Sequence, residues 1–170
     1  MLSSKMQNAL NAHINAELWS AYLYLSMSLD ASAKGYKGLA NWFMIQFREE
    51  QDHAQLFMDY VLARGGQVAL APIAEVPTQW ESPVAMFRDT LAHEQKVTEL
   101  INGLCRTADE EKDYATANKL VWFVNEQVEE EDNVRSILDQ IKMVEGNNMG
   151  LYMIDKELGA RVYSAPTAAQ

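Results

Sequence analysis

The sequence is short of the residues that staple a chain, break it or charge it positively. One cysteine, Cys105, stands among 170 residues. That excludes an intrachain disulfide framework and any cysteine-rich metal site. Only 14 Lys plus Arg oppose 24 Asp plus Glu, a formal charge of -10. Nucleic acid is therefore excluded as a partner class, because phosphate binding needs the reverse surplus. No apolar run reaches about 18 residues, and Lys5, Gln7, Asn8, Asn11, His13 and Glu17 interrupt the first apolar stretch. Neither a membrane span nor a signal peptide is read, and the chain is expected to be soluble and cytoplasmic, with no membrane partner. What is abundant is apolar: 48% of the residues, enough for one packed core.

Glycine (8) and proline (4) are sparse, and their positions divide the chain. Met6 to Lys34 contains neither, and Leu10, Ile14, Ala21 and Tyr24 recur at helical steps, which predicts a helix over about 5–34. Gly35 and Gly38 break it, and a second helix over about 38–64 stops at Gly65-Gly66. Residues 65–82 carry Pro72 and Pro77 and no helical period. Ser82-Pro83 supplies an N-cap and a first-turn proline for a third helix over about 83–108. A charged turn leads to a fourth over about 113–145, and the Gly146–Gly150 stretch separates a short fifth over about 149–160. The long helices span roughly 40 to 50 Å, and the long connection can stretch roughly 55 Å, enough to run the whole bundle length. The expectation is one all-α domain over 1–170: an antiparallel four-helix bundle with one long crossover and a short C-terminal helix.

Each core-facing stripe carries the same anomaly. Glu17 interrupts Leu10, Ile14, Ala21 and Tyr24; Gln46, Glu50 and His53 interrupt Leu39, Phe43 and Phe57. In the third helix the stripe is Val84, Phe87, Leu91, Glu94, Thr98, Ile101 and Cys105; the fourth reads Leu120, Phe123, Gln127, Glu130, Val134, Ile137 and Ile141. Glu17 to Glu50 and Glu94 to Gln127 are both 33 residues apart, so the chain reads as two hairpins of one design. Glu50-x-x-His53 and Gln127-x-x-Glu130 each place two side chains on one face. Carboxylates grouped in a bundle core repel one another unless protonated or bound to a cation, and no Lys or Arg lies on these stripes. Oxygen donors with one imidazole suit Fe(II) or Mn(II) rather than structural zinc. Glu49, Glu126 and Glu129 adjoin this set, as an acidic satellite or as a solvated helix edge. Tyr24 reads as a ligand partner, an electron source or a packed tyrosine. Trp122 reads as packing, and His13 and His93 as surface residues.

These residues resemble the ferritin family over nearly the whole chain, and most of all its bacterial non-haem members. The resemblance implies a ferritin-like fold and a cytoplasmic homo-oligomeric shell of 24 subunits. Such a shell oxidises Fe(II) with dioxygen or peroxide as a ferroxidase and stores the ferric mineral. It implies Glu17 and His53 on a first iron, Glu50 bridging, and Glu94 and Glu130 on a second, with Gln127 beside it as a polar neighbour. Tyr24 joins the catalytic set, and Glu49, Glu126, Glu129 and Glu130 match a third iron site. The fifth helix would pack on other subunits through Leu151, Tyr152, Ile154 and Leu158. Two departures matter. Bacterioferritins carry a second E-x-x-H where this chain has Gln127-x-x-Glu130, and a haem-binding Met where it has Gln51, so no haem is expected. The competing readings are a di-iron oxidoreductase acting on an organic substrate and a non-catalytic metal-buffering assembly.

Overall fold

Capping signals and apolar stripes resolve into five helices, with no strand, in a computed structural model that describes residues 2–166. They are α1 (Ser4–Ala33), α2 (Lys37–Ala63), α3 (Pro83–Glu110), α4 (Tyr114–Met143) and α5 (Asn148–Leu158). The all-α expectation holds. Ser3 starts α1 by accepting a hydrogen bond from the Met6 N–H at 3.0 Å. Ser82 does the same for α3 from the Ala85 N–H at 3.1 Å, with Pro83 in the first turn, and Asp113 starts α4 from the Thr116 N–H at 3.2 Å. Each cap satisfies a backbone donor that the helix itself cannot. No helix among the described residues is long and apolar enough to cross a membrane.

The α1–α2 and α3–α4 hairpins face each other, and their apolar core comes in two parts. One gathers Tyr24, Met27, Phe43, Phe87 and Leu138. The other gathers Leu10, Ile14, Phe57, Ile101 and Phe123, with Phe57 stacked on Phe123 at 4.0 Å between ring centres. A polar layer built from all four long helices lies between them. On α3 the expected stripe is only half right. Phe87, Glu94 and Ile101 are buried, but Val84, Leu91, Thr98 and Cys105 are half-exposed, and Met86, Thr90, Val97 and Leu104 take their places. The face is rotated because the core lies on the other flank of the Phe87–Glu94–Ile101 line: the residues three positions on from each (Thr90, Val97, Leu104) are buried, rather than those four positions on.

The crossover is tied to the outer face of α1 rather than left free. The Gln67 N–H donates to Gln7 Oε1 at 2.9 Å, and the Ala69 N–H to Asn11 Oδ1 at 3.1 Å. Asn15 Nδ2 reaches the Pro72 carbonyl at 3.5 Å, Trp19 Nε1 the Glu75 carbonyl at 3.3 Å, and Ser26 Oγ the Pro77 carbonyl at 2.6 Å. The Trp80 N–H then donates to Asp30 at 3.1 Å. At the far end of the bundle Arg64 forks onto Asp113 at 3.1 and 3.2 Å.

Helix α5 docks on the start of α2. Gly38 permits this: a Cβ there would lie 1.5 Å from the Asp155 carbonyl oxygen. The Leu39 N–H donates to Asp155 Oδ1 at 2.9 Å, and Asn41 Nδ2 to the carbonyls of Leu158 (3.3 Å) and Arg161 (3.0 Å). Ile154 is buried, and Leu151 and Leu158 pack beside it. That corrects part of the expectation: Ile154 is spent on the chain's own bundle and Leu151 and Leu158 are half-buried there, while Tyr152, the fourth residue of the expected face, stays exposed. The apolar groups α5 leaves exposed are Met149, Tyr152 and Met153.

Candidate metal centre

In the polar layer, Glu17 of α1 meets Glu50 and His53 of α2. Each of the three offers a donor atom, and those atoms all lie within 4.8 Å of one another. All three side chains are buried. His53 Nδ1 sits 3.5 Å from Glu50 Oε2. Glu17 Oε2 and Glu50 Oε2 have no hydrogen-bond partner. Two buried, unpartnered carboxylate oxygens are costly in a bundle core unless a cation or proton meets them.

The second hairpin contributes differently. Tyr24 Oη donates to Glu94 Oε1. Gln127 Nε2 donates to Glu94 Oε2 at 3.1 Å and lies 3.4 Å from Thr98 Oγ1. Glu130 Oε2 accepts from Gln46 Nε2 at 3.0 Å. Glu94 and Glu130 are thus buried in the same layer, each held by a neutral donor, outside the close group of three.

The electrostatics follow from that crowding. Burial raises the Glu50 carboxyl well above its ordinary range, and the Glu17 and Glu94 charges add to it. Burial likewise pushes Glu94 up to about 7, against the bonds from Tyr24 and Gln127. Glu130 is raised for the same reason, with Glu94 and Glu49 nearby. Glu17 goes the other way. Burial opposes its charge, but the imidazoles of His13 and His53 outweigh it and hold the carboxyl at about 2. Burial beside Glu94 also keeps the Tyr24 hydroxyl protonated well past its usual range. A site with one fixed carboxylate and several protons waiting to leave can accept divalent cations with little change in net charge.

The acidic satellite is partly engaged. Glu49 and Glu126 are half-buried, both raised by burial, while Glu129 is exposed. Arg161, beyond α5, places Nη2 2.7 Å from Glu49 Oε2 and Nη1 2.6 Å from Gln46 Oε1, with its guanidinium 5.1 Å from the Trp42 ring centre. The stripes gave no sign of this cation, because it arrives from a segment without helical period.

Both histidines read as surface residues prove otherwise. His13 is 4% exposed, with Nε2 2.8 Å from Glu17 Oε1. His93 is half-buried, its Nε2 2.8 Å from Ser20 Oγ and its ring between Trp19 and Tyr24. Burial lowers the His93 imidazole to about 4. The i, i+4 step from His13 to Glu17 was the available signal for the first. Trp122 packs edge-on to His53 at 5.6 Å.

A family model described as a ferritin-like domain matches residues 7–144. A bacterial non-heme ferritin of Bacteroides fragilis is 43% identical over 161 residues, spanning 95% of this chain and 100% of the relative. One from Staphylococcus aureus is 34% identical over 163 residues, spanning 96% and 98%. Among solved structures, an Archaeoglobus fulgidus ferritin engineered to a closed form superposes with a TM-score of 0.95 at 43% identity, covering 96% of this chain and 100% of that one. The open-pore ferritin of the same organism gives 0.94 at 44% identity, covering 95% and 100%.

Proposed function

The chain belongs to the ferritin family, and from that premise we propose that it stores iron, oxidising Fe(II) as a ferroxidase and retaining the ferric product inside a cytoplasmic homo-oligomeric shell of 24 subunits. The observation that carries this reading is the buried group of Glu17, Glu50 and His53, whose donors converge within 4.8 Å with two carboxylate oxygens unpartnered. Hard oxygen donors with a single imidazole suit iron, and their negative charge favours Fe(III) over Fe(II).

The protein's own part is to hold, orient and release. Glu17 and His53 hold the first Fe(II), Glu50 bridges, and Glu94 and Glu130 meet a second. Dioxygen or peroxide takes up the electrons that the iron gives. Glu50, Glu94 and Glu130, raised by burial, shed protons as the cations arrive. Tyr24 and Gln127 keep the Glu94 carboxylate in place through the bonds already present. Gln127 replaces a second imidazole, which leaves the second iron more loosely held and free to move on toward the cavity. Glu49, Glu126, Glu129 and Glu130 form its next stop, a third iron position. The exposed apolar residues Leu29, Leu70 and Ile73 on α1 and the crossover, with Tyr152 and Met153 on α5, supply self-association surfaces.

Native mass together with iron content after aerobic Fe(II) loading tests the reading. A large closed assembly that keeps many irons per chain supports storage. Oxidation that stops at a few irons per chain, or iron that precipitates outside the particle, refutes it.

A further inference from the structure

Among the described residues, three buried side chains carry an unpartnered polar atom, and of these His13, unlike Glu17 and Glu50, is outside the ligand set. It lies one helical turn before Glu17, and the two side chains are 2% and 1% exposed. Its Nε2 is 2.8 Å from Glu17 Oε1. The imidazole plane is fixed from the other side: the ring meets Phe57 edge-on at 4.7 Å and 76°, and Phe57 is itself stacked on Phe123. His13 stands outside the group of donors that converge within 4.8 Å, so it does not share the first metal with His53. The close contact is not yet aligned as a hydrogen bond, and His13 Nε2 and Glu17 Oε2 both lack a partner. The terminal torsion of a glutamate is soft, so the carboxylate can turn toward the imidazole at little cost.

We propose that His13 is a positioning residue for metal binding, holding Glu17 Oε1 so that Oε2 is presented to the first metal. The division of labour is one oxygen to the imidazole and one to the cation. It makes Glu17 a single-oxygen ligand, its other oxygen engaged by the imidazole once the carboxylate has turned to meet the cation. A histidine bonded to a ligating carboxylate belongs to the outer support that orients metal ligands, and removing such a partner costs roughly 10- to 100-fold in affinity. The inference rests on the reading of Glu17 as a metal ligand.

The test uses the full-length protein and Co(II), which reports its ligands by visible absorption and needs no oxidation. Wild type, His13→Leu and His13→Gln are titrated by calorimetry and by absorption, with folding and assembly checked by circular dichroism and native mass. The first Co(II) is expected to bind about 10- to 100-fold more weakly to H13L, with the absorption bands of bound cobalt unchanged, because no ligand is lost. H13Q, whose amide can still donate to Oε1, should recover most of the affinity. Should the leucine variant not fold, His13→Met repeats the measurement with a more flexible apolar chain. Equal affinity in wild type and H13L overturns the inference and leaves only packing. Bands that shift in H13L overturn it in favour of direct ligation, and a glutamine variant as weak as the leucine one also overturns it. A wild type that binds no Co(II) removes the metal reading and this inference together.

Discussion

Without metal, Glu94 should cost the protein stability as pH rises from 5 to 8, opposite to the usual behaviour of ionised carboxylates. Glu94 is fully buried, and its carboxyl titrates at about 7 when folded against an ordinary 4.5. At this group the folded chain therefore binds more protons than the unfolded chain between those values. The Glu94 contribution is greatest below 4.5 and falls as pH climbs to 7. A difference of this size corresponds to about 3 kcal/mol per subunit, at 1.36 kcal/mol per unit. Glu50 and Glu130 are raised as well and act in the same direction. Glu17, held at about 2, loses its contribution only below pH 4.5 and so does not offset the trend in this window. His93 does: burial lowers it to about 4, so its contribution grows as pH rises to 6.5, and the wild-type fall emerges above that pH while Glu94→Gln isolates the Glu94 share. For a chain of this length 3 kcal/mol is about 8 °C in melting temperature. Calorimetric melting of chelator-treated protein at fixed subunit concentration, from pH 5 to 8, measures it. Glu94→Gln should remove about that much of the slope. With Zn(II) or Co(II) saturating, the slope should reverse, since cations then compete with protons for the same oxygens. A Glu94→Gln variant whose melting temperature follows pH between 5 and 8 as the wild type does would show that these carboxylates are not crowded as described.

Four further outcomes follow from the same geometry. Saturating Zn(II) at about 100 times its dissociation constant should stabilise the protein by about 2.7 kcal/mol, read as a higher melting temperature than in chelator; no difference counts against the seam as a metal site. Glu50→Ala and His53→Ala should each abolish fast Fe(II) oxidation, followed by ferric absorbance, while leaving the native mass unchanged. Arg161→Ala frees Glu49 from its cation and should tighten binding of a third metal equivalent by about tenfold, the scale of one charge-assisted hydrogen bond; calorimetry reads this, and unchanged affinity would show that Arg161 does not compete there. Gly38→Ala places a methyl against the Asp155 carbonyl and should undock α5, seen as faster amide exchange over 148–158 in a chain whose other helices stay protected.

Much of the fold was legible because its determinants are local. Ser82-Pro83 and Gly65-Gly66 mark helix ends by their own backbone chemistry, and the stripes of α1 and α2 repeat closely enough to name their buried faces. The α3 stripe was less legible, since Phe87, Glu94 and Ile101 have apolar or small residues on both flanks and only the neighbouring helices decide that Thr90, Val97 and Leu104 are the covered ones. At the site, Glu17, Glu50 and His53 were visible as polar interruptions at one height. Their neighbours were not. Arg161 reaches Glu49 from a segment with no pattern, and His13 looked like a polar residue on the edge of its helix because nothing in one helix reveals that Phe57 of another covers it.

The crossover bears on all of this as a ruler. Gln7, Asn11, Asn15 and Trp19 stand four residues apart on α1, and each reads a successive backbone group of residues 67–75. One hairpin is thereby gauged against the other along the bundle axis. Because α3 begins where that scale ends, at Trp80 on Asp30, the height of Glu94 and Glu130 relative to Glu17 and Glu50 is set by the count of residues in a loop. Surface loops ordinarily tolerate insertion. Here one added residue would shift every later rung, and the two halves of the centre would no longer stand level.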